Sequence, residues 1–191
     1  MTDTVMVDIR GEVAVVTLNR PETANTLNLA MGRDLLTAAL RCEADPAVRA
    51  VVLTGAGKAF CFGGDLRGMT SSGTPIEPYL KELTTHLHAA IARFMRMDAP
   101  VIAAVNGTTA GAGVGLVAMA DLAIMAAGAK ISLAYTGVGL TPDGGTSFLL
   151  PRAVGAKRAM ELIMTNRALT AAEALEWGLV NQVAPDTEVL D

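Results

Sequence analysis

The stretch Ala103–Asp121, AAVNGTTAGAGVGLVAMAD, limits the folds open to this chain more than any other segment. An apolar run, Val101–Val105, ends at the turn pair Asn106-Gly107. Glycines follow at 111, 113 and 115, and the uncharged run Leu116–Ala120 closes on Asp121. This order reads as a strand entering a Gly-rich turn that opens a helix. Backbone N–H groups at a helix start lack intrahelical acceptors and sit at the positive end of the helix dipole. Glycines there let a negatively charged group approach the backbone closely. A phosphate cradle lacks its motif, since neither G-x-G-x-x-G nor a P-loop Lys-Ser/Thr is present. Val101–Ala120 is uncharged and Gly107, Gly111 and Gly115 keep a GxxxG step, which suits a membrane span. The Asn-Gly pair would break that helix in its first third, and no basic flank marks an inside face. The third reading, an oxyanion hole that uses the Gly113 N–H, requires a second donor from elsewhere in the chain.

Strands and helices alternate around this segment. Val5–Arg10 and Val13–Leu18, divided by Gly11-Glu12, read as a strand pair. Asn28 caps a helix reaching about Ala44, with Leu35, Leu36, Ala39 and Leu40 on one stripe. Ala50–Thr54 reads as a buried strand. Gly55–Gly68 is a Gly-rich loop that carries Phe60, Cys61 and Phe62, which solvated loops seldom do, so it is expected to line a pocket. Ser71–Pro78 reads as a polar surface connection. Tyr79–Met97 repeats Leu80, Leu83, Leu87, Ile91 and Phe94 at helical steps, with Met95 and Met97 as gap-filling core and His88 at the edge of the stripe. Leu122–Met125 and Ile131–Leu133 are further strand candidates. Tyr135–Thr146 is a second Gly-rich loop, this one holding Asp143. A helical pattern runs from about Gly144 to Met164, broken at Pro151 and Gly155. Thr170 to Glu173 is a capping box, Gly178 ends the short helix it starts, and Leu179–Val183 reads as a last strand. The alternation implies α/β layers with right-handed crossovers.

The length, 191 residues, fits one domain over 1–191. Hydrophobic residues reach 51% while aromatics are only 4%, which suits closely packed small-residue layers and leaves apolar surface for self-association. A formal charge of −4 without basic runs argues against nucleic acid as a partner. Two cysteines, Cys42 and Cys61, are too few for a disulfide framework, and the N-terminus has no apolar leader, so a cytoplasmic protein is expected. Two histidines without a Cys/His cluster speak against a metal site.

Four segments together carry a resemblance: Lys58–Leu66 (KAFCFGGDL), Pro100–Asp121, Gly139–Gly155 (GLTPDGGTSFLLPRAVG) and Thr170–Val183 (TAAEALEWGLVNQV). In this order the chain resembles the crotonase superfamily, also called the enoyl-CoA hydratase/isomerase family. The resemblance implies a crotonase-like (ClpP/crotonase) α/β spiral of ββα units, assembled as homotrimers or dimers of trimers. It implies an acyl-CoA thioester substrate, with coenzyme A arriving as part of the substrate and no separate cofactor. It also implies the missing donor: the N–H groups of Gly64 and Gly113 would hold the thioester oxygen as enolate charge develops on it. Arg20, Ala24, Phe62, Gly63, Asp65, Leu66 and Tyr135 fall where members bind substrate or the coenzyme A tail, Asp65 more as a loop brace than as an acid. Members usually continue past this point into helices that cover the acyl pocket and build the trimer contact, which implies that those covering helices are absent here.

Departures from the pattern redirect the chemistry. Hydratases use two glutamates to activate water, and this chain has Gly115 and Tyr135 in their places. It offers Asp143 instead, in PDGG. Isomerases of the ring-degradation type place a proton-shuttling aspartate there. The 4-chlorobenzoyl-CoA dehalogenases place a nucleophilic aspartate there, with a helix histidine at the position of His88. The dehalogenase pattern departs at Tyr135, where it has tryptophan, and at Gly64, where it has phenylalanine. Double-bond isomerisation with Asp143 as acid and base is therefore the leading expectation, ahead of hydrolytic dehalogenation with Asp143 as nucleophile and His88 as base, and of a non-catalytic acyl-CoA binder or truncated subunit.

Overall fold

A computed structural model describes residues 3–71, 73 and 75–190. The chain opens with an antiparallel hairpin of β1 (Val5–Arg10) and β2 (Val13–Leu18), with Val5 opposite Leu18 and Arg10 opposite Val13. Helix α1 (Leu29–Ala44) follows, and Asn28 Oδ1 accepts the Met31 N–H at 2.9 Å, as a cap should. Its buried face is Met31, Leu35, Ala38, Ala39 and Cys42. Leu40, expected on that stripe, is 45% exposed, because the buried stripe runs through Leu35, Ala38, Ala39 and Cys42 and position 40 falls beside it.

From here the chain repeats one course: a strand in a large sheet, a strand in a small sheet, then a helix back. The strand pairs are β3 (Ala50–Gly55) with β4 (Ala59–Cys61), β5 (Val101–Val105) with β6 (Thr108–Ala110), and β7 (Leu122–Ala126) with β8 (Lys130–Ser132). The short strands β9 (Leu169–Thr170) and β10 (Gln182–Ala184) complete the two sheets in reverse order. The large sheet runs β1-β2-β3-β5-β7-β10 and is parallel from β2 onward; the small one runs β4-β6-β8-β9. Within the small sheet β4, β6 and β8 are parallel. This is the α/β spiral of ββα units expected from the sequence.

The returning helices are α2 (Leu66–Ser71) and α3 (Ile76–Phe94), then α4 (Ala112–Ala118), α5 (Thr146–Val154), α6 (Ala156–Thr165) and α7 (Ala171–Glu176). The capping box at Thr170 and Glu173 is present, and Gly155 separates α5 from α6 as expected. The loop expected over Gly55–Gly68 instead contains β4 and the start of α2, which is why Phe60 and Cys61 are fully buried. Helix α3 spans Ile76–Phe94 and not Tyr79–Met97, so Met95 lies past its end and is 47% exposed rather than core. The connection expected at Ser71–Pro78 is largely the end of α2 and first turn of α3; residues 72 and 74 within it lie outside the described residues. The core fills the space between the sheets and helices α1 and α3, anchored by Leu18, Leu53, Phe60, Leu87 and Phe94. Among the described residues no helix is long and apolar enough to cross a membrane.

Candidate active site

A cleft opens between α3, the segment after β4, the start of α4 and the segment after β8. Its walls are mainly aliphatic, with Leu80, Leu83 and Leu87 from α3 facing Leu66 and Met69. Polar groups are few: Thr84, Tyr135, Asp143, and the backbone at Gly64, Gly111 and Ala112. An apolar pocket with convergent polar groups is the usual form of a small-molecule site.

The backbone of two loops meets in the cleft wall. Leu27 bridges to Gly64 in parallel fashion, donating to the Gly63 carbonyl at 2.7 Å and accepting from the Asp65 N–H at 2.9 Å. With Leu27 taken by those neighbours, the Gly64 N–H points away from it. Ala112 is the first residue of α4, so its N–H has no acceptor within the helix. The two loops abut: a Cβ placed on Gly63 would lie 3.0 Å from the Ala112 nitrogen and 3.1 Å from Gly111 Cα. Register explains the match. Cys61 pairs with Thr109 across β4 and β6, and Gly64 and Ala112 each lie three residues beyond that pair.

Gly113, the expected second donor, is not part of the wall. A Cβ on it would lie 2.4 Å from the Cys61 carbonyl oxygen and 2.4 Å from Thr109 Oγ1, so this glycine is turned toward β4 and packed there. Helix α4 starts at Ala112, among the glycines rather than after them at Leu116, and Ala112 lies at the edge of the cleft.

Asp143 lies on the far side, half-buried, on the loop leading into α5. Its Oδ1 accepts a hydrogen bond from the Tyr135 hydroxyl at 2.7 Å. Burial first, and then the Asp143 carboxylate beside it, push the Tyr135 phenol far above its ordinary value, so it remains a protonated donor. His88 reaches the same loop from α3, but its Nε2 accepts the Gly144 N–H at 3.1 Å and its side chain does not line the cleft. It braces the loop from behind. An Nε2 that accepts places the ring proton on Nδ1 in the neutral form.

Of the other expected binding residues, Phe62 and Leu66 line the cleft, and both are partly open to solvent. Arg20, Ala24, Gly63 and Asp65 support it from outside. Arg20 pairs with Asp65 at 3.0 Å, both side chains being largely buried. Asp65 Oδ1 also accepts the Gly68 N–H at 3.0 Å, which fixes the first turn of α2. Ala24 accepts the Phe62 N–H through its carbonyl at 3.1 Å. Cys61, fully buried, has its thiol pushed up to about 12 by burial and is inert packing. Sequence reading missed Asn25. This buried residue donates from Nδ2 to the Ala56 and Ala59 carbonyls at 2.9 and 2.8 Å and accepts the Arg20 N–H at 2.9 Å. Its signal was slight: an asparagine inside a turn, here at φ +56, which asparagine tolerates better than most residues.

The Arg20–Asp65 pair makes the cleft acid-sensitive. Burial opposes the Asp65 charge, but the Gly68 N–H, the Arg20 guanidinium and the charge of Arg67 outweigh it and hold the carboxyl below its ordinary range. A lowered native value contributes stability above the unfolded value, about pH 4, and that contribution is lost as pH falls through the native value. Urea melts are therefore expected to show wild type more stable than Asp65→Asn at about pH 6, with the gap shrinking by about pH 3. A gap independent of pH would exclude the ionic brace.

A family model described as enoyl-CoA hydratase/isomerase matches residues 8–191. The chain is 41% identical over 185 residues to a Rhodobacter capsulatus protein named "Probable enoyl-CoA hydratase", covering 97% of this chain and 70% of the relative. It is 37% identical over 192 residues to 1,2-epoxyphenylacetyl-CoA isomerase of Escherichia coli, covering 100% of this chain and 73% of the relative. It is 37% identical over 177 residues to 4-chlorobenzoyl coenzyme A dehalogenase-2 of an Arthrobacter species, covering 92% of this chain and 64% of the relative. The crystal structure of an enoyl-CoA hydratase from Bacillus anthracis superposes with a TM-score of 0.91 at 35% identity, covering 97% of this chain and 72% of that one.

Proposed function

This chain belongs to the enoyl-CoA hydratase/isomerase family, and we propose that it moves the double bond of an enoyl-CoA thioester, with Asp143 carrying the proton. The observation that carries the reading is that Asp143 is the one carboxylate among the described residues lining the cleft. The family acts on acyl-CoA thioesters. The thioester oxygen lies between the N–H groups of Gly64 and Ala112. Asp143 takes a proton from C2 of a 3-enoyl thioester, and the electron pair left there spreads through the carbonyl onto that oxygen and through the double bond to C4. The two N–H groups hold the dienolate charge in a water-poor cleft, where fixed donors of this kind are each worth about 2.7–4 kcal/mol of barrier. The same carboxyl returns the proton at C4, leaving a 2-enoyl thioester with all atoms conserved. One acid thus serves both steps, and among the described residues lining the cleft no second carboxylate is on hand to activate a water.

The names of two relatives point in different directions, one an isomerase and one a dehalogenase. The engagement of His88 with the Gly144 N–H favours the isomerase, because that nitrogen is then occupied by a backbone donor rather than by a water molecule. The aliphatic walls suit an apolar acyl group. Two assays on the purified protein test the reading. Conversion of 3-hexenoyl-CoA to the conjugated 2-enoyl thioester is expected to exceed hydration of 2-hexenoyl-CoA by about 100-fold or more in kcat/KM, the scale of one proton-transfer group. Hydration as fast as isomerisation overturns it.

A further inference from the structure

We propose that Tyr135 is a positioning residue for Asp143: its hydroxyl fixes Oδ1 and leaves Oδ2 as the oxygen that carries the proton. The inference rests on the reading that Asp143 is the acid and base. It departs from the expected place of Tyr135 as a substrate contact.

Both members of the pair are held by several partners. Tyr135 is only 7% exposed, and its hydroxyl lies 2.7 Å from Oδ1. Its backbone is held as well, the carbonyl accepting the N–H groups of Val138 and Leu140, each at 3.0 Å. On the Asp143 side, the carbonyl accepts the Thr146 N–H at 2.8 Å, and the next residue is tied to His88. With backbone and one carboxylate oxygen both fixed, rotation about the Cα–Cβ bond is no longer free. The second oxygen then has a single placement, and Asp143 itself lines the cleft. Such preorientation raises the rate of proton transfer because no reorganisation is needed at the moment of reaction. A phenol kept protonated by burial and by the adjacent carboxylate stays a donor across the working pH range.

Loss of the hydroxyl frees Oδ1 to turn, and the pH dependence of turnover reads that change. The titratable groups to consider are Tyr135 and Asp143 in the cleft and His88 from α3, behind Gly144. In Tyr135→Phe, kcat for 3-hexenoyl-CoA is expected to fall about 10- to 100-fold, with KM changed about twofold or less. The acidic limb of the kcat–pH profile moves to higher pH. The sequence has only two tyrosines, so fluorotyrosine incorporation in a Tyr79→Phe background labels position 135 alone. The fluorinated phenol is a stronger donor of nearly the same shape, and it is expected to move the limb the opposite way. This second arm reads the effect even where the Phe variant fails to fold. His88→Gln, which retains an acceptor for the Gly144 N–H, is expected to keep the limb. An unchanged profile in both Tyr135 arms, a rise in KM alone, or loss of the limb in His88→Gln overturns the proposal. Asp143→Asn in parallel separates the two claims. Turnover in that variant defeats the acid–base reading itself, whereas an inactive Asp143→Asn beside an unaffected Tyr135→Phe defeats only the role of Tyr135.

Discussion

Asp143→Asn is expected to lower kcat for isomerisation by about 1,000-fold or more while leaving acyl-CoA binding within about threefold. Asparagine keeps the size of the side chain, and its amide oxygen can still accept the Tyr135 hydroxyl bond at the position of Oδ1. It cannot take and return a proton. The donors at Gly64 and Ala112 are untouched, so the thioester still docks and its oxygen is still polarised. Binding measured by calorimetry, set beside turnover of 3-hexenoyl-CoA, separates the two contributions. Residual activity within tenfold of wild type would place the proton on another group.

Gly115→Glu is expected to abolish isomerisation, by about 100-fold or more, without creating a hydratase. The substitution installs the residue that hydratases carry at this position, so the intuitive outcome is a gain of water addition. Packing forbids it. A Cβ on Gly115 would lie 2.3 Å from the Gly144 carbonyl oxygen, 2.9 Å from Thr146 Oγ1 and 3.2 Å from the Gly144 carbonyl carbon. Two of those three atoms are backbone and cannot rotate aside. The loop must move to admit any side chain, and that loop carries Asp143. Overpacking of this kind costs about 1–3 kcal/mol, and a glutamate adds the cost of burying its charge. A glutamate at 115 and the present course of the loop that carries Asp143 are thus mutually exclusive. A thermal melt and the two hexenoyl-CoA assays check this, and a folded Gly115→Glu protein that hydrates 2-hexenoyl-CoA would contradict it.

Local chemistry made much of the fold legible. Asn28 and the Thr170–Glu173 box are caps whose hydrogen bonds span three residues, and both form as read. The hairpin of β1 and β2 is likewise local. Of the small sheet only β8 was legible: β4, β6 and β9 are two or three residues long, the first two inside glycine-rich segments and the third directly before a capping box. Such strands exist only through neighbours brought in by the spiral. The site divides the same way. Gly64, Phe62, Leu66, Tyr135 and Asp143 were legible through motif order, and all line the cleft. Gly113 in place of Ala112 is a one-residue displacement, within the uncertainty with which any sequence marks a helix start. The Arg20–Asp65 and His88–Gly144 contacts join residues 45 and 56 positions apart, and no local pattern announces them.

The pairing of Cys61 with Thr109 has a further consequence. Adjacent strands of a sheet lie about 4.8 Å apart. Two peptide groups at equal offsets beyond a paired position set out from that interval, and the abutting of Gly63 on Gly111 and Ala112 keeps their loops side by side. A single atom can be gripped from both flanks at such a gap, so the architecture itself supplies the calipers. A side chain at Gly63 would press on Ala112 and spread the jaws, and inserting or deleting one residue on one side alone would put them out of step.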